Sequence, residues 1–287
     1  MKYTLSTILA GVLWGTISVF LKTLDAAGFG TLSIMLCRAL ISAVILFLFI
    51  FFKDKSLFKI QLKDLWMFMG TGIISLTFFS VCYFRSILEI GASVAVILLY
   101  TSPIFVLIFS FFLFGEDFSF PKVIAVVFAM AGCVMVTGLG SGNSYISGRG
   151  ILIGLCAGLG YALYSIFSRY ALEKYDSLTV TFYTFVFSAV SLLPFGDLPS
   201  VVQTLNLKSV FFFLGISFFC TVLPYILYTF GLKGLETGHA AIIVTIEPLV
   251  GCLIGIFLWK EELSLVKVLG ILLIFAAVVL CGRKKTV

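Results

Sequence analysis

Two stretches of the chain, TSPIFVLIFSFFLFGEDFSFPKV at 101–123 and IEPLVGCLIGIFLWKEELSLVKV at 246–268, carry the same plan. Each places a proline (Pro103, Pro248) thirteen residues before a glutamate (Glu116, Glu261), across a run that is almost wholly apolar. Each then continues into Lys-Val (Lys122-Val123, Lys267-Val268) and a final apolar segment. Farther out, Ala10-Gly11-Val12-Leu13-Trp14 lines up with Ala157-Gly158-Leu159-Gly160-Tyr161. Beyond these, Ser18 meets Ser165, Phe20 meets Phe167 and Lys22 meets Arg169. A period repeated once over the whole chain means two copies of one unit.

The unit is membrane-embedded. Of 287 residues, 61% are hydrophobic and only 11% charged, with a mean hydropathy of +1.21. A soluble domain carries about a quarter charged residues and could not cover such a core. A spanning helix needs about 20 apolar residues. Ten stretches fit: 5–21, 31–52, 65–84, 91–113, 121–138, 149–168, 178–195, 208–230, 238–258 and 265–281. The expected fold is therefore an all-α integral membrane protein of ten transmembrane helices, in repeats at 1–140 and 147–287. Five helices per repeat is an odd number, so the second copy enters the bilayer upside down. Inverted repeats of this kind are a hallmark of secondary transporters, where each half in turn exposes a central site, and they occur in channels as well.

Loop charges orient the chain. With the N-terminus in the cytoplasm, the inner segments hold Lys2, Lys53, Lys55, Lys59, Lys63, Lys122, Arg169, Lys174, Lys233, Arg283, Lys284 and Lys285. The outer segments hold Lys22, Arg85, Arg149, Lys208, Lys260 and Lys267. The bias places both termini in the cytoplasm. The run after Lys2 reads as a retained first helix and not as a cleaved signal. The charges are scattered singly, so nothing here suits nucleic acid.

The seven cysteines have no CxxC spacing and read as packing residues. With a single histidine, His239, no metal site is expected. No GxxxxGK[ST] loop is present, which argues against ATP drive, and no cofactor is expected. Nor do a nucleophile, base and metal ligands converge as an intramembrane enzyme would need.

Taken together, the five-plus-five plan, AGVLWGTISVF in the first helix, Arg38 in the second, YTSPIF and FGEDFS in the first half, and IEPLVG and KEELS in the second resemble the EamA family of the drug/metabolite transporter superfamily. The resemblance covers essentially the whole chain. It implies ten helices, cytoplasmic termini, a central cavity between the halves, and movement of amino acids, other metabolites or toxic compounds, often outward. The partners it implies are a small-molecule substrate and the lipid bilayer, in a bacterial plasma membrane, for a monomer or homodimer. The alternative is a scaffold or lipid-scrambling membrane protein with no defined solute.

Glu247 sits about 14 Å into helix nine at 1.5 Å per residue, close to the bilayer midplane. A carboxylate there is protonated, paired or facing water. It reads either as a proton-coupling or substrate-amine site, or as a structural acid beside a proline. Arg38, roughly 10 Å into helix two, either pairs with Glu247, binds a substrate carboxylate or snorkels to the headgroups. Pro103 and Pro248 interrupt corresponding helices, which points to binding or gating, or to static kinks. Gly11 with Gly15, Gly154 with Gly158, and Gly251 with Gly255 permit close helix approach, either as static packing or as the smooth contacts that hinging and gating between sliding halves need. Trp14, Ser18, Tyr83, Tyr100, Tyr161, Tyr164, Tyr183, Tyr225 and Tyr228 could line a cavity, with Tyr83 and Tyr228 suited to the interfacial belt because they fall near helix ends. His239 reads as a solvated helix-start residue, and Glu116 and Glu261 as carboxylates exposed to headgroups or water.

Overall fold

The computed structural model describes residues 1–137, 147–260 and 262–282. Glu261 and the basic run Arg283, Lys284 and Lys285 lie outside the described residues. Among those described there is no strand. Eight helices are long and apolar enough to cross a membrane: α1 Lys2–Ala26, α2 Thr31–Lys53, α3 Leu62–Ile90, α4 Ala92–Phe114, α5 Phe120–Thr137, α6 Gly148–Leu172, α8 Leu207–Leu232 and α9 Thr237–Trp259. Two shorter apolar helices, α7 Ser177–Leu192 and α10 Leu265–Cys281, complete the set. Each expected apolar stretch falls on one of these helices.

The ends differ from expectation where local chemistry intervenes. Helix α7 stops at Leu192, short of 195, where Pro194 brings no N–H to continue the ladder. Helix α3 runs to Ile90, six residues past 84. Arg85, expected in a loop, is inside it.

Several helices are not continuous. α4 is interrupted at Tyr100–Thr101 and α9 at Val244–Thr245, with Pro103 and Pro248 in the first turn of the segment that follows. A proline ring clashes with the carbonyl four residues back, here Leu99 and Val244. α1 breaks at Thr16, whose hydroxyl bonds the Leu13 carbonyl at 2.7 Å. α3 and α8, the third helices of the two fives, each contain a wide π-type stretch, Gly70–Thr77 and Phe218–Val222. In both, a threonine hydroxyl reaches the carbonyl five residues back (Thr77 to Gly72, Thr221 to Ile216). Such bulges concentrate at functional sites.

Small residues set the packing. A Cβ on Gly15 of α1 would lie 2.7 Å from the Glu247 carbonyl of α9, and one on Gly11 3.0 Å from that of Val244. On the other side, a Cβ on Gly158 of α6 would lie 2.7 Å from the Leu98 carbonyl of α4. The first helix of each five thus lies directly on the break in the fourth helix of the other. Gly251 has ordinary room, its nearest neighbour 3.8 Å away. Gly132 and Gly270 bring α5 and α10 together in the same close manner.

Polar contacts sort the helix ends into two groups. At one end, Lys122 pairs with Glu236, Asp64 with Lys174, and Lys233 with Asp176. Arg169 bonds the Leu232 carbonyl there, and the Tyr3 ring packs at a tilt against Phe230. At the other end, Arg149 pairs with Glu89, the Asp197 amide bonds Ser33, and Lys22 lies over Trp259. Every one of these links joins ends of the same parity, as expected when successive helices run in opposite directions. Glu116 is not exposed, as expected from sequence, but buried, accepting from the amides of Thr237 (2.6 Å) and Gly238 (3.0 Å) at the start of α9. His239 is likewise tied down, Nδ1 to the Glu236 carboxylate at 2.7 Å.

Candidate functional site

The interior chemistry gathers around Glu247, which follows the break in α9 directly. Its Oε2 accepts from the Tyr161 hydroxyl of α6 at 3.2 Å. In the first five helices the corresponding position is Ser102, by the register that pairs Pro103 with Pro248. The carboxylate is therefore present on one side of the repeat only.

Arg38 comes from α2. It is 6% exposed, and its Nε is buried without a hydrogen-bond partner. Tyr225, Cys220 and Glu247 are the titratable groups that lie within its electrostatic reach. No ion pair forms between Arg38 and Glu247 among the described residues, although both lie inside the bundle. Tyr83 and Tyr100 also lie within the electrostatic reach of Glu247.

An aromatic cluster fills the space beside these groups. Trp14 meets Tyr225 at 5.0 Å, Tyr228 at 5.5 Å and its repeat partner Tyr161 at 6.5 Å between ring centres. Tyr164 stacks edgewise on Tyr225 at 5.1 Å. Edge-to-face rings at these separations attract beyond their simple burial. They surround a cavity of about 10 Å³ lined by Trp14, Ser75, Phe79, Tyr161, Tyr225 and Tyr228, among others. That volume is on the order of one water, so no solute fits there in the conformation described.

The structure brings together Trp14, Arg38, Tyr83, Tyr100, Tyr161, Tyr164, Tyr225 and Glu247. It places Ser18 beyond the break in α1 and away from this cavity. Tyr183 also lies elsewhere, bonded through its hydroxyl to the Phe58 carbonyl. Tyr228 is buried and Tyr83 half-buried. α3 extends past Tyr83 by seven residues, and the Tyr228 hydroxyl finds Ser165 at 2.7 Å. Sequence reasoning missed Ser75 and Phe79, which sit in and just after the π-type stretch of α3. A wide turn rotates the face of a helix, and no apolar pattern reports it.

The chain resembles known proteins over nearly its whole length. The model of the EamA-like transporter family matches residues 1–138 and 148–283. An uncharacterised transporter of Archaeoglobus fulgidus is 28% identical over 284 residues, covering 96% of this chain and 95% of its own. The uncharacterised transporter YetK of Bacillus subtilis is 22% identical, covering 86% and 77%. A solved crystal structure superposes with a TM-score of 0.80 at 15% identity, over 97% of this chain and 95% of the other, and so shares its fold. Matched at both of its halves, this multi-pass membrane protein belongs to the EamA-like transporter family.

Proposed function

We propose that the chain is a secondary transporter, built as two inverted five-helix repeats with both termini in the cytoplasm of a bacterial cell. It moves small organic metabolites, amino acids or related compounds, by alternating access around the centre between α1, α3, α4, α6, α8 and α9. One observation carries this reading. A buried guanidinium, Arg38, and a half-buried carboxylate, Glu247, lie within electrostatic reach of each other beside an aromatic cluster, yet do not pair. A structural pair would collapse into contact, because an unpaired buried charge is costly. Two charges kept apart are a receptor for a solute that bears both signs. Trp14, Tyr161 and Tyr225 supply the apolar wall for its side chain, and the breaks beside Pro103 and Pro248 supply places for α4 and α9 to bend.

The test is uptake of radiolabelled metabolites into proteoliposomes of the purified chain, across a panel of amino acids and organic acids. Saturable flux of a zwitterion, lost in Arg38→Gln, is the expected result. Liposomes that scramble fluorescent lipid but carry no solute in the panel would remove the reading.

A further inference from the structure

The two halves of the chain are joined differently at their two ends. Where α4 ends and α5 begins, Glu116 accepts from the Thr237 and Gly238 amides of α9 at 2.6 and 3.0 Å. Lys122 Nζ lies 2.5 Å from the Glu236 carboxylate and also donates to the Asp117 carbonyl at 2.7 Å. His239 Nδ1 meets the same carboxylate at 2.7 Å. The contacts of Glu116 and Lys122 with the start of α9 tie the first five helices to the second five. The side chains of Lys122 and Glu236 are only 3% and 15% exposed. An exposed ion pair contributes little, but one shut away from water is costly to break.

The register that pairs Pro103 with Pro248 carries Glu116 to Glu261 and Lys122 to Lys267. It carries Glu236 to Gly91 and His239 to Val94. The ammonium therefore recurs in the second half, and the carboxylate that meets it does not recur in the first. Gly91 has φ 82°, and a Cβ there would meet nothing within 4 Å. The nearest acid in sequence, Glu89, serves the start of α6 instead. It accepts from the Ser147 hydroxyl at 3.4 Å and lies 3.5 Å from Arg149, which is 78% exposed.

We infer that the Lys122–Glu236 pair is a one-sided lock that sets the resting state of the carrier, with the Lys122 end shut. The inference rests on the transporter reading above. In an inverted-repeat carrier, each half takes up the arrangement of the other when access changes sides. The arrangement now seen at the Lys122 end would then form at the opposite end, with Lys267 facing Gly91. The amide cap can be remade there, because Glu261 repeats Glu116; the ion pair cannot. The two end states thus differ by one buried pair, and the conformation described is the favoured one. Opening admits water to both charges, so the lock biases the exchange without barring it. In the orientation proposed above the Lys122 end is cytoplasmic, and the empty carrier waits facing outward.

Spin-label distances on the full chain in lipid nanodiscs test this, with no solute present. The nitroxides are carried on p-acetylphenylalanine, so the native cysteines stay in place. One pair, at Asp117 and Lys233, spans the lock, and the repeat-related pair, at Glu262 and Leu88, spans the opposite end. All four side chains are exposed. Labelling Lys233 removes its pair with Asp176, in every sample alike. In the wild type the first pair is expected to give mainly the short distance. Glu236→Gln and Lys122→Met should each shift its short-to-long ratio about tenfold or more toward long, while the second pair shortens in step. Glu89→Gln, which strips the exposed pair at the other end, should leave both ratios within about twofold. A wild type that favours the long distance at Asp117 and Lys233 overturns the lock with no variant needed. An unmoved ratio in both lock variants, each melting cooperatively, overturns it too, because the pair is then a fixed strut. Saturable zwitterion flux beside either result leaves the transporter reading standing. Distances that respond to Glu236→Gln in a chain that carries no panel solute remove that reading and support the lock.

Discussion

The two positions that end α4 and α9 share one backbone state and differ in residue. Gly115 has φ 65° and Lys260 φ 53°, the left-handed turn that commonly closes a helix. A Cβ on Gly115 would meet no neighbour within 4 Å, so only backbone strain opposes a side chain there. Gly115→Ala is expected to cost about 1–2 kcal/mol, read as a lower thermal midpoint in detergent, with transport kinetics preserved. Tyr161 sets the opposite case. Its hydroxyl holds Glu247 and little else. A hydrogen bond to a charged group contributes about 1.5–3 kcal/mol. Tyr161→Phe is therefore expected to weaken solute binding about tenfold while leaving the thermal midpoint nearly in place. A midpoint that falls with affinity unchanged would show the hydroxyl to be structural.

Between elements, the closest contacts are the glycine crossings. Gly15→Ala would force α1 away from the break in α9, at a cost of roughly 1–3 kcal/mol and slower transport. Gly251→Ala, with its 3.8 Å of room, is expected to behave as wild type. Comparing the two by thermal melts and flux separates close approach from mere smallness. The start of α9 is held in another way, by Glu116 from the end of α4. Glu116→Ala strips two amides of their acceptor, at roughly 1–3 kcal/mol, and hydrogen exchange of the segment 237–243 should quicken at least tenfold.

Glu236, just outside α9, adds a pH dependence. Burial pushes its carboxyl up, but the bond and charge of Lys122 and the contact with His239 outweigh it and hold the group below the usual range. Because the folded value is depressed, the stabilisation is complete above the unfolded value, about 4.3. It is lost as pH falls through the folded one. The melting midpoint should drop on acidification below about pH 4.3, and Glu236→Gln should flatten part of that slope. None of this end-network was legible from sequence. Glu116, Lys122 and His239 stand in short polar gaps, and a gap does not disclose which distant gap it meets. The helices themselves were legible, because a span needs only length and apolarity. The rotation of each helix was not, since a helix apolar all round has no marked inner face. For that reason Trp14, Arg38 and Glu247 stood out by their chemistry, while Ser75 and Phe79 did not.

At the scale of the molecule, the parity of the end contacts makes orientation testable. A reporter enzyme that works only in the cytoplasm should be active when inserted beside Ser56, and one that works only outside when inserted beside Asp197. The reverse pattern would turn the carrier over and exchange its inner and outer sides. The crossing of α1 over α9 has a further consequence, for the order in which the protein is built. The seam on α1 at Gly11 and Gly15 leaves the ribosome more than two hundred residues before its cover does. At about 5–20 residues per second that is roughly ten to fifty seconds. For that interval the newborn first helix has lipid or a chaperone where α9 will lie, and the carrier is sealed only when the ninth helix slides in behind it.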